Sequence, residues 1–168
     1  LADEPTGNLD SDTAGEIIEI LKQKNETIST MESCTGGGVA NKITNIEGAS
    51  EVFSFSAVTY SNDFKIKMGV SKEVIDEYSV YSIQTAREMS KNISLFANST
   101  YGVGITGKIN RVDKNNLQGL DNEVFVSIYD SKNNIYNDFN FKCINNYTRE
   151  QNKDLIIKKI EEKLIEII

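Results

Sequence analysis

Hydrophobic and polar positions along the chain fall into blocks that switch between helical and strand spacing. Apolar residues at helical intervals predict five helices, over 13–24, 35–44, 71–77, 83–97 and 149–168. β-branched and aromatic runs predict strands over 27–31, 52–60 and 101–106, and a hairpin of 124–129 and 135–141 around the polar turn 130–134. This order predicts an α/β fold, a single three-layer α/β/α domain with a mixed sheet including a C-terminal hairpin.

Two predicted helices carry apolar stripes that indicate their buried faces. The stripe of helix 83–97 consists of Ala86, Met89, Ile93 and Phe96. The stripe of the last helix consists of Ile156, Ile160, Leu164 and Ile167. Between them, 108–122 is the one long polar connection, and a loop of that length is often functional or disordered.

The composition is typical of a folded, acidic protein. The chain has 168 residues, of which 39% are apolar, and its net charge of −7 argues against a nucleic-acid partner, whose phosphates need a basic face. No apolar run approaches the ~20 residues of a membrane span and no signal peptide opens the chain, so we expect a cytoplasmic protein without a membrane partner. Two cysteines and no histidine favour neither a disulfide framework nor a zinc site, and we expect no metal and no cofactor.

The segment Glu32-Ser33-Cys34-Thr35-Gly36-Gly37 carries the strongest chemical signal. It places a hydroxyl and a thiol where a strand turns sharply into a helix, followed by glycines that let a ligand approach the backbone. A serine is a weak nucleophile until a neighbouring base takes its proton, and this chain has no histidine for that task. Either a lysine or a tyrosine assists Ser33, or Ser33 is merely an N-cap of the following helix.

Each candidate partner or rival of Ser33 has a second, purely structural interpretation. Lys65 is the strong base candidate if burial and a nearby cation lower its pKa from ~10.4, and otherwise a solvated lysine. Tyr60 relays a proton or orients Lys65, or is a half-buried tyrosine at a strand end. Cys34 is either a rival nucleophile or a small buried apolar residue. Glu32 orients Lys65, caps backbone amides or is simply a charge at a strand end.

The first eleven residues, Leu1 to Ser11, resemble the Walker B and D-loop region of an ABC-transporter ATPase. In that family the acidic pair that matches Asp3-Glu4 holds Mg²⁺ and polarises the attacking water. The chain has no phosphate-binding loop and no signature motif, so such a fragment cannot bind ATP alone. We therefore divide the chain into a non-functional leader, 1–12, and a domain, 13–168.

From about residue 13 onward, several sequence blocks keep one order. After the 32–37 segment come Thr59-Tyr60-Ser61-Asn62 with Lys65, then Met68-Gly69-Val70, Gly104-Ile105-Thr106-Gly107 and Thr148-Arg149-Glu150. Together these blocks resemble the CinA C-terminal domain family, named for competence-damage inducible proteins. The family includes nicotinamide-nucleotide amidohydrolases of the pyridine nucleotide cycle.

This resemblance implies a cofactor-independent amidohydrolase that converts nicotinamide mononucleotide to nicotinate mononucleotide by a Ser-Lys-Tyr mechanism. The implied catalytic residues are Ser33, Tyr60 and Lys65. The implied residues for binding the small-molecule nucleotide substrate are Glu32, Thr35, Gly36, Gly37, Thr106 and Arg149. A homo-oligomer is compatible with a small α/β enzyme of this size.

The chain departs from the family pattern after Gly107. Family members continue into an Ala-Gly-Pro and Gly-Gly loop, whereas this chain reads Lys108-Ile109-Asn110-Arg111-Val112-Asp113-Lys114. Those glycines would expose backbone N–H groups to a phosphate or substrate; here Lys108 and Arg111 are the candidates to supply positive charge. The alternative function is therefore a catalytically impaired nucleotide-binding or interaction domain of the same family.

Overall fold

Six α-helices, one 3-10 helix (Ala49–Glu51) and five strands follow one another along the described part of the chain. The computed structural model describes residues 6–168, with side chains from residue 13 onward. The helices are α1 (Thr6–Lys24), α2 (Gly38–Thr44), α3 (Asn62–Lys67), α4 (Lys72–Tyr78), α5 (Ile83–Ala97) and α6 (Arg149–Ile167). The strands are β1 (Ile28–Glu32), β2 (Phe53–Val58), β3 (Tyr101–Gly107), β4 (Glu123–Asp130) and β5 (Ile135–Lys142). No helix among these described residues is long and apolar enough to cross a membrane.

The strands form one open, mixed sheet in the order β2-β1-β3-β4-β5. β1 pairs in parallel with both β2 and β3, while β4 pairs antiparallel with β3 and with β5. Helices α1, α2 and α6 cover one face around a core that includes Leu21, Ile43 and Ile160. Helices α4 and α5 cover the other face around Ile75 and Met89. The predicted three-layer α/β/α domain with a C-terminal hairpin is confirmed.

Several local predictions need correction. The first helix begins at Thr6 rather than at residue 13. The leader proposed for 1–12 lies wholly outside the residues whose side chains are described. Helix α2 begins at Gly38 rather than at residue 35, because Gly36 and Gly37 have φ of 62° and 90° and cannot continue a right-handed helix.

The short helix α3 was not predicted, since Ser61-Asn62-Asp63 reads as a polar turn. The Ser61 side chain instead caps it by accepting a hydrogen bond from the Phe64 N–H at 3.3 Å. Phe96, predicted to share the buried face of α5, is 65% exposed. Its ring lies 4.9 Å from the ring of Phe55 at the sheet edge.

Glycines in β3 allow α5 to pack directly on the sheet. A Cβ atom at Gly104 would lie less than 3.0 Å from the carbonyl oxygen of Ala86 and the amide nitrogen of Ser90. We expect Gly104→Ala to lower the free energy of unfolding by about 1–3 kcal/mol, because helix backbone must move to admit the methyl group. Chemical denaturation measures this effect. Gly15→Ala is the matched control. A Cβ atom at Gly15 would have no neighbour within 4 Å, and alanine is a better helix former than glycine inside α1, so this substitution should raise the free energy of unfolding by up to about 1 kcal/mol.

Candidate active site

The predicted site residues converge at the carboxyl end of the parallel strands. A cavity of about 890 Å³ opens there, between the turn after β1, helix α3 and the loop after β3. Open α/β sheets bind ligands at this edge, because loops from neighbouring strands meet there. Ser33, Tyr60, Lys65 and Arg149 all line the cavity.

Ser33 lies directly beyond the last residue of β1. Its N–H donates to the carbonyl oxygen of Ile105 at 3.0 Å, which fixes the turn to the neighbouring strand β3. The helix that follows begins later, and its N-cap residue is Gly37, which makes no side-chain cap. Ser33 is therefore not an N-cap, and its hydroxyl is directed to another partner.

That partner is Lys65, which reaches the cavity from α3. The Lys65 Nζ lies 3.0 Å from Ser33 Oγ and donates to the carbonyl oxygen of Thr59 at 2.7 Å. The Lys65 side chain is 1% exposed, and burial lowers its pKa from 10.5 to about 8, against smaller raising effects of Cys34 and Asp113. Of the two causes expected from the sequence, burial accounts for the low pKa, and no neighbouring cation contributes to it.

Cys34 also touches the cavity but is a poorer candidate for the nucleophile. The residue is only 4% exposed, and burial raises the pKa of its thiol to about 12. A thiol with that pKa is almost entirely protonated at neutral pH, whereas the thiolate is the reactive form. The arrangement therefore favours the hydroxyl of Ser33 over the neighbouring sulfur.

Glu32 is fully buried and acts as the cap of α2. Its two carboxylate oxygens accept hydrogen bonds from the N–H groups of Val39 and Ala40 at 3.2 and 2.9 Å, and from the Thr35 hydroxyl at 2.6 Å. A carboxylate at a helix N-terminus is favoured by the helix dipole. Of the three roles open for Glu32 in the sequence, the structure assigns the capping of backbone amides.

Of the six predicted binding residues only Arg149 lines the cavity, whereas Glu32, Thr35, Gly36, Gly37 and Thr106 do not. Thr35 is fully buried against Glu32, and the Thr106 hydroxyl donates to the carbonyl oxygen of Val80 at 2.8 Å. Both side chains therefore support the frame of the site, and neither lines the cavity. Gly36 and Gly37 provide the left-handed turn beside Ser33, and Gly36 is exposed while Gly37 is half-buried.

Tyr60 pairs with Arg149, not with the Ser33–Lys65 pair. The Tyr60 hydroxyl accepts a hydrogen bond from Arg149 Nη2 at 3.2 Å, and 65% of Tyr60 is exposed. Arg149 also donates through Nη1 to the carbonyl oxygen of Ile109, so it joins α6 to the loop after β3. The sequence placed Tyr60 beside Lys65; the structure places it at the cavity mouth instead.

Sequence reasoning missed Tyr81 and the acidic residue that holds it. The Tyr81 hydroxyl donates to Asp113 Oδ2, and Lys108 Nζ lies 5.2 Å from the centre of the Tyr81 ring. The Lys108 side chain is 1% exposed and forms an ion pair with Asp121 at 3.1 Å. Lys108 is thus neutralised inside the loop. No sequence motif predicts these contacts, because they depend on how the 108–122 loop packs against Tyr81.

The charges that line the cavity differ in sign from the chain as a whole. Five lining residues are basic, namely Lys65, Lys108, Arg111, Lys114 and Arg149, and two are acidic, Asp63 and Asp113. The chain carries a net charge of −7. A positive cavity in an acidic protein favours an anionic ligand group such as a phosphate. Among the described residues, no group of three Cys, Asp or Glu side chains could hold a metal ion.

Comparisons with known proteins agree with this fold. A model of the CinA C-terminal domain family matches residues 10–163. A competence-damage inducible protein of Caldanaerobacter subterraneus subsp. tengcongensis is 45% identical over 92 residues, which cover 54% of this chain and 22% of that relative. The match thus spans under a quarter of the relative's length.

Solved structures extend the similarity to nearly the whole chain. A competence/damage inducible protein from Agrobacterium tumefaciens has a TM-score of 0.83 and 26% identity, covering 93% of each chain. A CinA superfamily protein from Escherichia coli has a TM-score of 0.87 at 20% identity, covering 100% of this chain and 94% of its own, and supports the fold alone. Because the family model matches most of its length, the chain belongs to the CinA C-terminal domain family.

Proposed function

We propose that this chain is an amidohydrolase that converts nicotinamide mononucleotide to nicotinate mononucleotide and ammonia. Ser33 is the nucleophile and Lys65 its base. The observation that carries the proposal is the 3.0 Å contact between Lys65 Nζ and Ser33 Oγ, made by a buried lysine whose pKa is about 8. A nucleophile within hydrogen-bond reach of a base with a lowered pKa is the arrangement that activates a serine.

The reaction proceeds in two steps, acylation of Ser33 and hydrolysis of the resulting ester. Ser33 Oγ attacks the carboxamide carbon while its proton passes to neutral Lys65, and the carbonyl becomes a tetrahedral oxyanion. The C–N bond then breaks, Lys65 returns the proton to the leaving nitrogen, and ammonia departs from an ester on Ser33. A water molecule attacks that ester with Lys65 as its base, which releases the carboxylate and restores the Ser33 hydroxyl.

Backbone N–H groups beside Ser33 are available to stabilise the oxyanion. The N–H groups of Ser33 and Gly36 already donate to Ile105 and Ser33 carbonyl oxygens. The N–H of Cys34, which follows Ser33 and also lines the cavity, donates to no backbone carbonyl in the described part of the chain. Donors fixed before reaction stabilise developing charge without reorganisation, and such a site contributes on the order of 10²–10³ in rate.

Arg149 and Tyr60 are proposed to bind the nucleotide. Neither is proposed to assist Lys65. Arg149 lies at the mouth of the positive cavity, where a guanidinium can bind phosphate through two parallel hydrogen bonds. Because the Tyr60 hydroxyl accepts from Arg149, its own proton remains free to donate to a substrate oxygen. Arg111 and Lys114, which line the same cavity, add positive charge on the loop side.

The pH dependence follows from the state of Lys65. Only neutral Lys65 can accept the Ser33 proton, and its pKa is about 8. We expect kcat/KM for ammonia release from nicotinamide mononucleotide to rise tenfold per pH unit below about 8 and to level off above it. A profile that is flat from pH 6 to 9, recorded where the protein stays folded, would argue against a lysine base.

A second candidate function is binding of the nucleotide without turnover. The observation that favours it is the loop after Gly107, which is tied down by side chains, including Asn62 Nδ2 to Asn116 Oδ1 at 2.7 Å and Asn110 N–H to Asn122 Oδ1 at 2.8 Å. Wild-type protein that is stabilised thermally by nicotinamide mononucleotide yet releases no ammonia would identify this function. Ammonia release would identify the amidohydrolase.

A further inference from the structure

Asp113 is a carboxylate held inside a cavity that is otherwise mainly basic. Its Oδ2 accepts hydrogen bonds from the Tyr81 hydroxyl and from Asn116 Nδ2 at 2.7 Å, and its Oδ1 accepts from the Asn115 N–H at 2.9 Å. The hydrogen bond from Tyr81 lowers the pKa of Asp113, so the group is ionised at neutral pH. All three donors are neutral, so none of them compensates the negative charge, and Lys108, which also lowers the pKa of Asp113, is ion-paired with Asp121.

The charge of Asp113 acts on Lys65, the proposed base. Asp113 raises the pKa of Lys65, against the larger lowering effect of burial. For a base that must be neutral to work, this effect is unhelpful. The other acidic residue of the cavity, Asp63, is exposed on the first turn of α3 and contributes no such effect. The charge of Asp113 raises the pKa of the base and repels a phosphate, so neither base catalysis nor phosphate binding accounts for it.

We propose that Asp113 is a specificity-determining residue, the counter-charge for the positively charged pyridinium ring of the substrate. The inference rests on the proposed function, because it takes the substrate to be a pyridinium nucleotide. The ring nitrogen that bears the ribose carries a full positive charge, and the carboxamide is attached to the same ring. With the carboxamide carbon at Ser33 Oγ, the cationic ring must lie within the cavity that Asp113 lines.

The basic residues make this counter-charge necessary. Arg111, Lys114 and Arg149 favour the phosphate but repel a cationic ring. A carboxylate in a partly buried cavity acts in a lower effective dielectric than water, so its attraction for the ring persists over several ångströms. The Tyr81 hydrogen bond fixes the carboxylate in place, and Tyr81 is thereby a positioning residue for Asp113.

Reduced nicotinamide mononucleotide is the probe that separates ring charge from everything else. It keeps the carboxamide, the ribose and the phosphate, while its dihydropyridine ring is neutral. Dissociation constants for both forms are measured by titration calorimetry in a Ser33→Ala background, where turnover does not interfere. We expect Asp113→Asn to reduce the preference for the oxidised over the reduced form by about tenfold, mainly by weakening the oxidised form. Asp63→Asn is the matched control and should leave that preference unchanged.

Two further measurements keep the test independent of folding. Asp113→Glu retains the charge and should restore most of the preference. Asp113→Asn in the Ser33 protein should move the acid limb of the kcat/KM profile to lower pH, since the charge that raises the pKa of Lys65 is gone. If Asp113→Asn does not fold by circular dichroism, Asp113→Ser takes its place.

The outcomes separate this inference from the proposed function. A preference that is the same in Asp113→Asn and in its parent, or equal weakening of both forms, would overturn the counter-charge while ammonia release by wild type stands. No ammonia release from wild type, with no binding of either form, would overturn the function and the inference together. A preference that falls about tenfold in Asp113→Asn and is mostly retained in Asp113→Glu is the result that supports the proposal.

Discussion

Ser33→Ala is expected to lower ammonia release from nicotinamide mononucleotide by at least about a thousandfold. The substitution removes the one side-chain oxygen to which Lys65 Nζ is hydrogen-bonded among the described residues, at 3.0 Å, and with it the atom that forms the acyl ester. Lys65 keeps its hydrogen bond to the Thr59 carbonyl oxygen, so the fold loses about 1 kcal/mol or less. An enzyme-coupled ammonia assay measures the loss, and thermal unfolding checks the fold.

Cys34→Ala is the matched control for the nucleophile. Because burial holds the thiol pKa at about 12, its removal should change kcat by only a fewfold. If Cys34→Ala abolished ammonia release and Ser33→Ala did not, the sulfur would be the nucleophile and the assignment of Ser33 would be wrong.

Lys65→Met is expected to abolish ammonia release while the protein remains folded. Methionine fills the buried space without a titratable amine, so the general-base contribution of about 10²–10⁴ is lost. In the folded wild type the pKa of Lys65 falls from 10.5 to about 8, which costs on the order of 3 kcal/mol at neutral pH. Removing that cost offsets the two lost hydrogen bonds, and the variant should unfold near or above the wild-type temperature at pH 7.

The sign of the pH effect on stability provides an independent check of Lys65. Between pH 8 and 10.5 the unfolded chain holds a proton on this lysine that the folded chain does not. Wild-type stability should therefore rise with pH across that window relative to Lys65→Met. Lys67→Met, two residues along α3 on the exposed side, should retain both activity and the wild-type stability profile. Ammonia release at the wild-type rate by Lys65→Met would refute the base assignment.

Much of the fold could be predicted from periodicity because its helices and hairpin bury clear apolar faces. Helix α5 has the predicted bounds, and the hairpin strands differ from prediction by one residue at both ends of β4 and at the outer end of β5. Helix α3 was missed for the opposite reason. It has only six residues, and its apolar side chains Phe64 and Ile66 are exposed, so no core-facing pattern marks it.

The site was predictable only as far as its chemistry is carried by local motifs. The turn at Ser33 and the block containing Lys65 indicated a nucleophile and a base, and the structure brings them together. Burial of Lys65 could not be predicted, because it depends on the packing of the missed helix α3. The position of Tyr60 beside Arg149 and the pair of Tyr81 with Asp113 result from long-range folding of loops, which leaves no periodic signal.

Trapping of the acyl-enzyme tests the Ser33–Lys65 mechanism most directly. Wild-type protein is mixed with excess nicotinamide mononucleotide, quenched in acid during turnover and digested, and the peptides are mapped by mass spectrometry. The mechanism predicts one modified peptide, heavier by the mass of the nucleotide less ammonia, with the added group on Ser33. An acyl group on Cys34 or on any other side chain would contradict it.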